Sequence, residues 1–199
     1  MLISIIIPVY NEEKTIRIFM ESLKGIQGNH EVIFVDGGST DNTFDIVKEK
    51  YFIVGSPKKG RGCQMNYGST LAKGEALFFL HSDSKVPCDL LEYVQDALKK
   101  GKAGCFRIRF DSKSVLMKIC AFMSNSRVKI RNIAFGDQGI FITKEYFDEI
   151  GGYPEISIME DYQLSMDIKK DGNRIILADA EILTSDRRFL KHGRLKTMA

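Results

Sequence analysis

Ile3-Ser4-Ile5-Ile6-Ile7-Pro8-Val9-Tyr10, running into Asn11-Glu12-Glu13, is the stretch that decides the fold. A short apolar run bounded by turn residues reads as a strand buried on both faces, which has no polar alternation to show. Two later segments repeat the pattern. Glu31-Val32-Ile33-Phe34-Val35-Asp36 leads into Gly37-Gly38-Ser39-Thr40-Asp41, and Ala76-Leu77-Phe78-Phe79-Leu80 leads into His81-Ser82-Asp83. Between them Ile16, Phe19, Met20 and Leu23, then Phe44, Ile46 and Val47, recur at helical spacing, and Phe52-Ile53-Val54 forms a further short strand. Strands alternating with helices predict an α/β domain with a Rossmann-like, mostly parallel sheet flanked by helices. Ligands of such a sheet bind outside the carboxyl ends of its strands. Asp36 and Asp83 both arrive at that edge, and Met159-Glu160-Asp161-Tyr162 adds a distal acidic pair. The ordered set predicts a site for a metal-bound phosphate ligand.

The rest of the chain bounds this reading. At 199 residues it accommodates one domain with a substantial core, and 44% hydrophobic with 28% charged residues is ordinary for a soluble protein. A net charge of +3 is too small to imply nucleic acid as a partner. Cys63, Cys88, Cys105 and Cys120 lie far apart with no paired metal-ligand spacing, and are expected as reduced, mostly buried thiols of a cytoplasmic protein. The amino terminus has no basic leader or small-residue cleavage site, and its apolar run stops far short of a membrane span.

Asn11 is expected to cap the first helix, with Glu12 and Glu13 in its opening turn. Pro87 suits a helix start, with Leu90, Leu91, Val94 and Leu98 on the inner face. In the second half, Phe106, Ile108 and Phe110 alternate with Arg107 and Arg109, as in a half-exposed strand. A Met-rich helix from about Val115 to Val128 is expected to pack into the core rather than lie on a membrane. A strand at Gly139–Thr143, a helix at Lys144–Ile150, a Gly151-Gly152-Tyr153-Pro154 turn, a helix from about Glu160 to Lys170 and a strand at Arg174–Ala178 complete one domain with no repeat or linker.

Each polar motif has a functional and a plain reading. Asp36 either binds a base or ribose or serves the turn, while Asp41 is the better cap. Arg61, between Gly60 and Gly62 at a helix start, suits a phosphate, whose oxygens a guanidinium grips with two hydrogen bonds, although surface arginines are common. Asp83, and His81 beside it, are the candidate metal ligands; Mg²⁺ or Mn²⁺ is held by one or two carboxylates plus substrate phosphates. The plain reading is a polar strand end. Glu160 and Asp161 either exploit the helix dipole or supply a general base, with Asp161 ahead of Glu160. Phe135-Gly136-Asp137-Gln138-Gly139 is a turn or a sugar-hydroxyl site. Asp186-Arg187-Arg188-Phe189-Leu190-Lys191-His192 is a solvated helix or a diphosphate and metal contact.

Together these motifs resemble family 2 glycosyltransferases of the GT-A fold over nearly the whole chain. Gly60-Arg61 through Gln64-Met65-Asn66, Phe79 through Asp83, Phe135 through Gly139 and Thr184 through Phe189 resemble most the radical-SAM/selenodomain-associated transferase 2 subgroup. The resemblance implies a nucleotide-diphosphate-sugar donor, Mn²⁺ or Mg²⁺, inversion at the anomeric carbon, and an acceptor hydroxyl on a glycan, lipid-linked or small molecule. It also implies a cytoplasmic protein with room for peripheral membrane contact. Residues 1–100 become the nucleotide-sugar half and 101–199 the acceptor half. By position, Pro8, Tyr10, Glu12, Asp36, Arg61, Ser82, Asp137, Gln138 and Arg188 would bind the nucleotide sugar. Asp83, His81 and His192 would hold the metal, and Asp161 with Glu160 would supply the base. His81 departs from the family, whose metal motif has an aspartate there. The rivals are a nucleotidyltransferase making nucleotide sugars, which needs a Gly-rich basic loop where Asn11-Glu12-Glu13 stands, and a non-catalytic nucleotide-sugar-binding protein.

Overall fold

All seven residues of the first strand, β1 (Ile3–Val9), are buried, as a strand covered by helices on both faces requires. A computed structural model describes residues 1–112, 114–156 and 158–184. In it β1 pairs in parallel with β2 (His30–Asp36) along its whole length, from Ile3↔His30 to Val9↔Asp36. β2 pairs in parallel with β3 (Phe52–Gly55). On its other side β1 pairs with β4 (Ala76–Phe79) only as far as Ile6↔Phe79, followed by the Leu80 N–H on the Ile6 carbonyl at 3.0 Å. Pro8, which has no N–H to donate, lies beyond that point. The two strands therefore part where chain order switches direction across the sheet, opening a crevice at their carboxyl ends.

The second half adds β5 (Ser84–Lys85), β6 (Ala103–Phe110), β7 (Phe141–Thr143) and β8 (Ile175–Thr184), giving one eight-stranded sheet of order β3-β2-β1-β4-β7-β6-β8-β5. β7 runs antiparallel to both β4 and β6, and β5 antiparallel to β8, while β6 and β8 are parallel. The parallel character predicted from sequence thus belongs to the first four strands, and the second half is mixed.

Helices cover both faces. α1 (Ile16–Leu23) and α4 (Leu90–Leu98) pack on one core with Ile5, Ile7, Phe34 and Phe78, while α3 (Arg61–Leu71), α6 (Lys144–Glu149) and α7 (Glu160–Lys170) close the other with Ile6, Val35, Phe79 and Ile142. α2 (Thr43–Lys48) makes the crossover from β2 to β3. α3 lies so close that a Cβ on Gly68 would stand 2.5 Å from Ile6 Cγ2 and 3.0 Å from Val35 Cγ2, which fixes the height of its amino terminus above the strand ends.

Three expectations change. α1 begins at Ile16 rather than at Asn11. Asn11 takes φ +53°, its N–H donates to Ser39 Oγ at 2.9 Å and its Oδ1 accepts the Thr40 N–H at 2.8 Å. The would-be cap is spent on the β2 loop instead. α5 (Val115–Arg131) buries only Met117, Cys120 and Val128, so it is not the core helix expected: Phe122, Met123 and Ile130 face outward. Of the cysteines, Cys105 and Cys120 are buried, Cys63 is half-buried and Cys88 exposed.

Candidate functional site

The carboxyl ends of β1 and β2 are tied into one rigid cradle. Asp36 is 5% exposed. Its Oδ2 accepts the N–H groups of Gly38 at 2.8 Å and Ser39 at 2.9 Å, and its Oδ1 accepts the Ser39 hydroxyl. Gly38 has φ +91°, the left-handed conformation that glycine adopts without strain. The turn chemistry foreseen for Asp36 is therefore present, and Oδ1 keeps one lone pair for a ligand hydroxyl. Glu12 donates its N–H to Thr43 Oγ1 at 2.7 Å and Glu13 to Asp41 Oδ2 at 3.2 Å, so the loop after β1 grips the loop after β2. The Glu12 carboxylate accepts the Thr15 hydroxyl at 2.6 Å. Tyr10 stands exposed at the tip of β1, whereas Pro8 is buried in the strand and reaches a ligand only through the backbone around it.

Sequence reading missed the brace of this cradle. Gln64, on the first turn of α3 and 5% exposed, donates both hydrogens of its amide, to the Val9 carbonyl at 2.9 Å and the Val35 carbonyl at 2.7 Å. One side chain thus bridges carbonyls at the carboxyl ends of two neighbouring strands. The only sequence signal was a polar residue on the inner face of a helix.

At the end of β4, His81 and Ser82 are each 9% exposed and Asp83 is half-buried. Ser82 and Asp83 line a cleft of about 420 Å³ with Thr15, Phe19, Asp111 and Thr184. Among the described residues no group of three His, Cys, Asp or Glu side chains is arranged to hold a metal by itself. One carboxylate with an imidazole nearby is instead the donor set of an ion whose remaining ligands are phosphate oxygens and water. Those residues fit Mn²⁺ or Mg²⁺ on that condition. Arg188 and His192 lie outside the described residues.

α7 delivers the two acidic residues to different partners. Glu160, 2% exposed, accepts a hydrogen bond from Arg61 Nε at the start of α3. Burial works against the charge of Arg61, but the Glu160 partner and then Asp161 hold its pKa above the ordinary value. Asp161, 7% exposed, accepts the Gly136 N–H on Oδ2 at 2.7 Å and the Tyr162 N–H on Oδ1 at 2.8 Å. A Cβ on Gly136 would stand 2.8 Å from His81 Nε2 and 3.4 Å from Asp161 Oδ2, so these two side chains flank one missing methyl. Tyr153 is buried beside them, with ring packing on Phe79 and Phe147. Its hydroxyl has no hydrogen-bond partner among the described residues. Burial, reinforced by Asp161, pushes its pKa well above 10.

The turn Gly136–Gln138 bounds the other side. Gln138 is wholly buried: its Oε1 accepts from Arg127 and from the Phe135 N–H, and its amide donates to the Phe106 carbonyl. These bonds tie Gln138 into the turn. Asp137 is half-buried and lines a cleft of about 710 Å³ with Phe135, Arg127, Phe122 and Met123. Arg127 stacks on the Phe135 ring at 3.9 Å, and burial lowers its pKa.

Arg61 thus meets Glu160, and His81 and Asp161 flank Gly136, while Asp36 stands at the end of β2 and Asp83 lines the cleft beside Thr15. Comparison with known proteins adds a family to this geometry. Residues 4–151 match the family model described as glycosyl transferase family 2. Beta-monoglucosyldiacylglycerol synthase of Nostoc sp. PCC 7120 is 24% identical over 85% of this chain and 41% of its own length. S. aureus TarS 1-349 in complex with UDP-GlcNAc superposes with a TM-score of 0.72 at 19% identity, over 93% of this chain and 58% of that one. Mannosyltransferase PcManGT from Pyrobaculum calidifontis, in complex with GDP-Man and Mn²⁺, gives 0.69 at 20% identity, over 91% and 56%. The structural likenesses establish the GT-A fold. This chain spans less than half the length of the curated relatives it matches.

Proposed function

Because the chain belongs to glycosyl transferase family 2, we propose that it moves a sugar from a nucleotide-diphosphate donor to an acceptor hydroxyl, with a divalent metal and with inversion. The observation that supports the reading is that Asp36, at the end of β2, and Asp161, at the start of α7, are both nearly buried carboxylates anchored by backbone N–H groups. The subgroup associated with radical-SAM and selenodomain proteins is the finer assignment, resting on Gly60 through Asn66 and Phe79 through Asp83.

Residues 1–100 form the donor half. Asp36 Oδ1 accepts a nucleoside hydroxyl, with Tyr10 and the backbone at Pro8 beside it. Glu160 fixes Arg61 through Nε, leaving the two terminal guanidinium nitrogens to face the diphosphate, the geometry in which arginine grips phosphate best. Asp83, with His81 adjacent, would hold Mn²⁺ or Mg²⁺, which when bound offsets charge on the leaving diphosphate. Residues 101–199 form the acceptor half. Asp161 is held in one orientation by two backbone N–H groups. It takes the acceptor proton as the hydroxyl oxygen attacks the anomeric carbon from the face opposite the diphosphate. The buried surround of Asp161, Glu160 and Tyr153 keeps water from competing with the acceptor. The acceptor class, whether glycan, lipid-linked or small molecule, stays open in this reading; no helix among the described residues is long and apolar enough to cross a membrane.

The test is a thermal-shift screen of UDP-, GDP- and dTDP-sugars with and without Mn²⁺ or Mg²⁺, followed by the Asp161→Asn variant. A donor at a hundredfold excess over Kd stabilises the folded state by about 2.7 kcal/mol. Metal-dependent stabilisation by one nucleotide sugar, with donor turnover lost in Asp161→Asn, is the expected result. Donor binding with turnover unchanged in that variant would overturn the base; donor binding without any turnover would leave a binding protein.

A further inference from the structure

We infer that α5 docks this protein on an anionic lipid bilayer surface. The helix has two apolar faces. Met117 and Cys120 pack inward on Ile108 and Phe110, and Val128 joins the core with Ala134 and Ile168. Val115, Ile119, Phe122, Met123 and Ile130 are 70%, 49%, 72%, 60% and 81% exposed. Their spacing of four, three, one and seven residues keeps them on one side of a helix. A single exposed apolar residue such as Ile18 on α1 is unremarkable in any soluble protein, but five along one stripe are not.

Charge selects the occupant. From Val115 to Arg131 the helix carries Lys118, Arg127, Lys129 and Arg131 and no Asp or Glu. A second copy of the chain packing through the same stripe would set these cations against their own equivalents. Residues 185–199 are no better matched, since they carry Arg187, Arg188, Lys191, Arg194 and Lys196 against Asp186 alone. A surface of anionic headgroups over hydrocarbon answers both features, attracting the lysines and arginines while the apolar stripe sinks to the acyl boundary. The same helix lines the cleft shared with Phe135 and Asp137, next to the Gly136 N–H that holds Asp161. Docking through α5 therefore leaves the crevice beside the membrane surface and needs no spanning helix.

The experiment is co-sedimentation of the full chain with phosphatidylcholine vesicles, with and without phosphatidylglycerol, at low and raised salt. The protein is expected to pellet only with the anionic vesicles, and less as salt rises. Phe122→Glu with Ile130→Glu should lower the partition coefficient by roughly tenfold or more, and Lys118→Glu with Lys129→Glu should act likewise. All four positions are on the surface, so unfolding and nucleotide-sugar thermal shifts should match the parent protein, which separates this outcome from failure of the donor site. The inference fails if the parent protein does not bind anionic vesicles, or if both variants bind as it does. It fails equally if the parent protein forms a concentration-dependent dimer that these variants dissolve, which would make the stripe an interface between copies.

Discussion

Replacing Glu160 with Gln tests whether the acidic pair on α7 divides its work as the geometry implies. Glu160 is almost fully buried with its charge committed to Arg61, whose side chain is 33% exposed. Breaking a fully buried pair costs about 3–5 kcal/mol, whereas an exposed pair is worth about 0–1 kcal/mol. With one partner enclosed and the other a third open to water, the loss should lie between, at about 1–3 kcal/mol. Gln retains an acceptor for Arg61 Nε, so the charge is what is removed. Urea unfolding of the parent, Glu160→Gln, Arg61→Met and the double variant gives the interaction energy directly. A coupling of about 1–2 kcal/mol is expected. Donor affinity should fall in both single variants: Arg61→Met has no guanidinium to offer the diphosphate, and in Glu160→Gln the more weakly held Arg61 must be ordered again on it. Zero coupling with unchanged donor affinity would refute the positioning role. Intact stability and binding with transfer abolished would move the base from Asp161 to Glu160.

Asp161→Asn should leave donor binding unchanged and slow transfer by about 10²–10⁴-fold, read by product formation at saturating donor. Asp83→Ala should remove the metal-dependent part of the donor thermal shift while leaving the metal-free shift in place. Gln64→Leu takes one donor from each of the Val9 and Val35 carbonyls, of which Val9 keeps the Gly37 N–H, and should cost about 1–3 kcal/mol in urea unfolding, with weaker donor binding. In alkali, Tyr146 is pushed up to about 12 by burial and by Asp171, and Tyr153 lies well above 10. Unfolded tyrosines ionise first, so stability present below pH 10 should fall as pH rises from there through about 12, followed by phenolate absorbance alongside circular dichroism.

What was legible in the sequence was what depends on local pattern. β1 announced itself by apolar continuity. α7 begins at Glu160 and ends at Lys170 as read, because acidic residues favour the positive end of a helix and lysines the negative end. Features set by distant partners were not legible. Asn11 looked like a cap until the β2 loop claimed both its N–H and its side chain. The strand read at Arg174–Ala178 runs on to Thr184, because pairing with β6 resumes beyond an irregularity at Cys105/Arg107. The burial of Gln138 depends on Arg127 and Phe106, elements away. α5 misled in the opposite direction. Its apolar content was read as core, but a helix with two apolar faces can bury only one against the sheet.

The adjacent carboxylates of α7 show why the site needs both halves of the chain. Successive residues on a helix point about 100° apart, so one acidic pair can serve two different neighbours. Glu160 reaches Arg61 on α3, which sits on β1 and β2 through the close approach at Gly68. Asp161 reaches Gly136, which the turn after α5 positions beside His81 at the end of β4. Neither contact depends on the other's partner, yet both hang from one rigid turn of helix. A displacement of α7 would therefore move the Arg61 anchor and the Asp161 carboxylate together. Arg61 and Asp161 are held in fixed register by backbone geometry, not by contact between them.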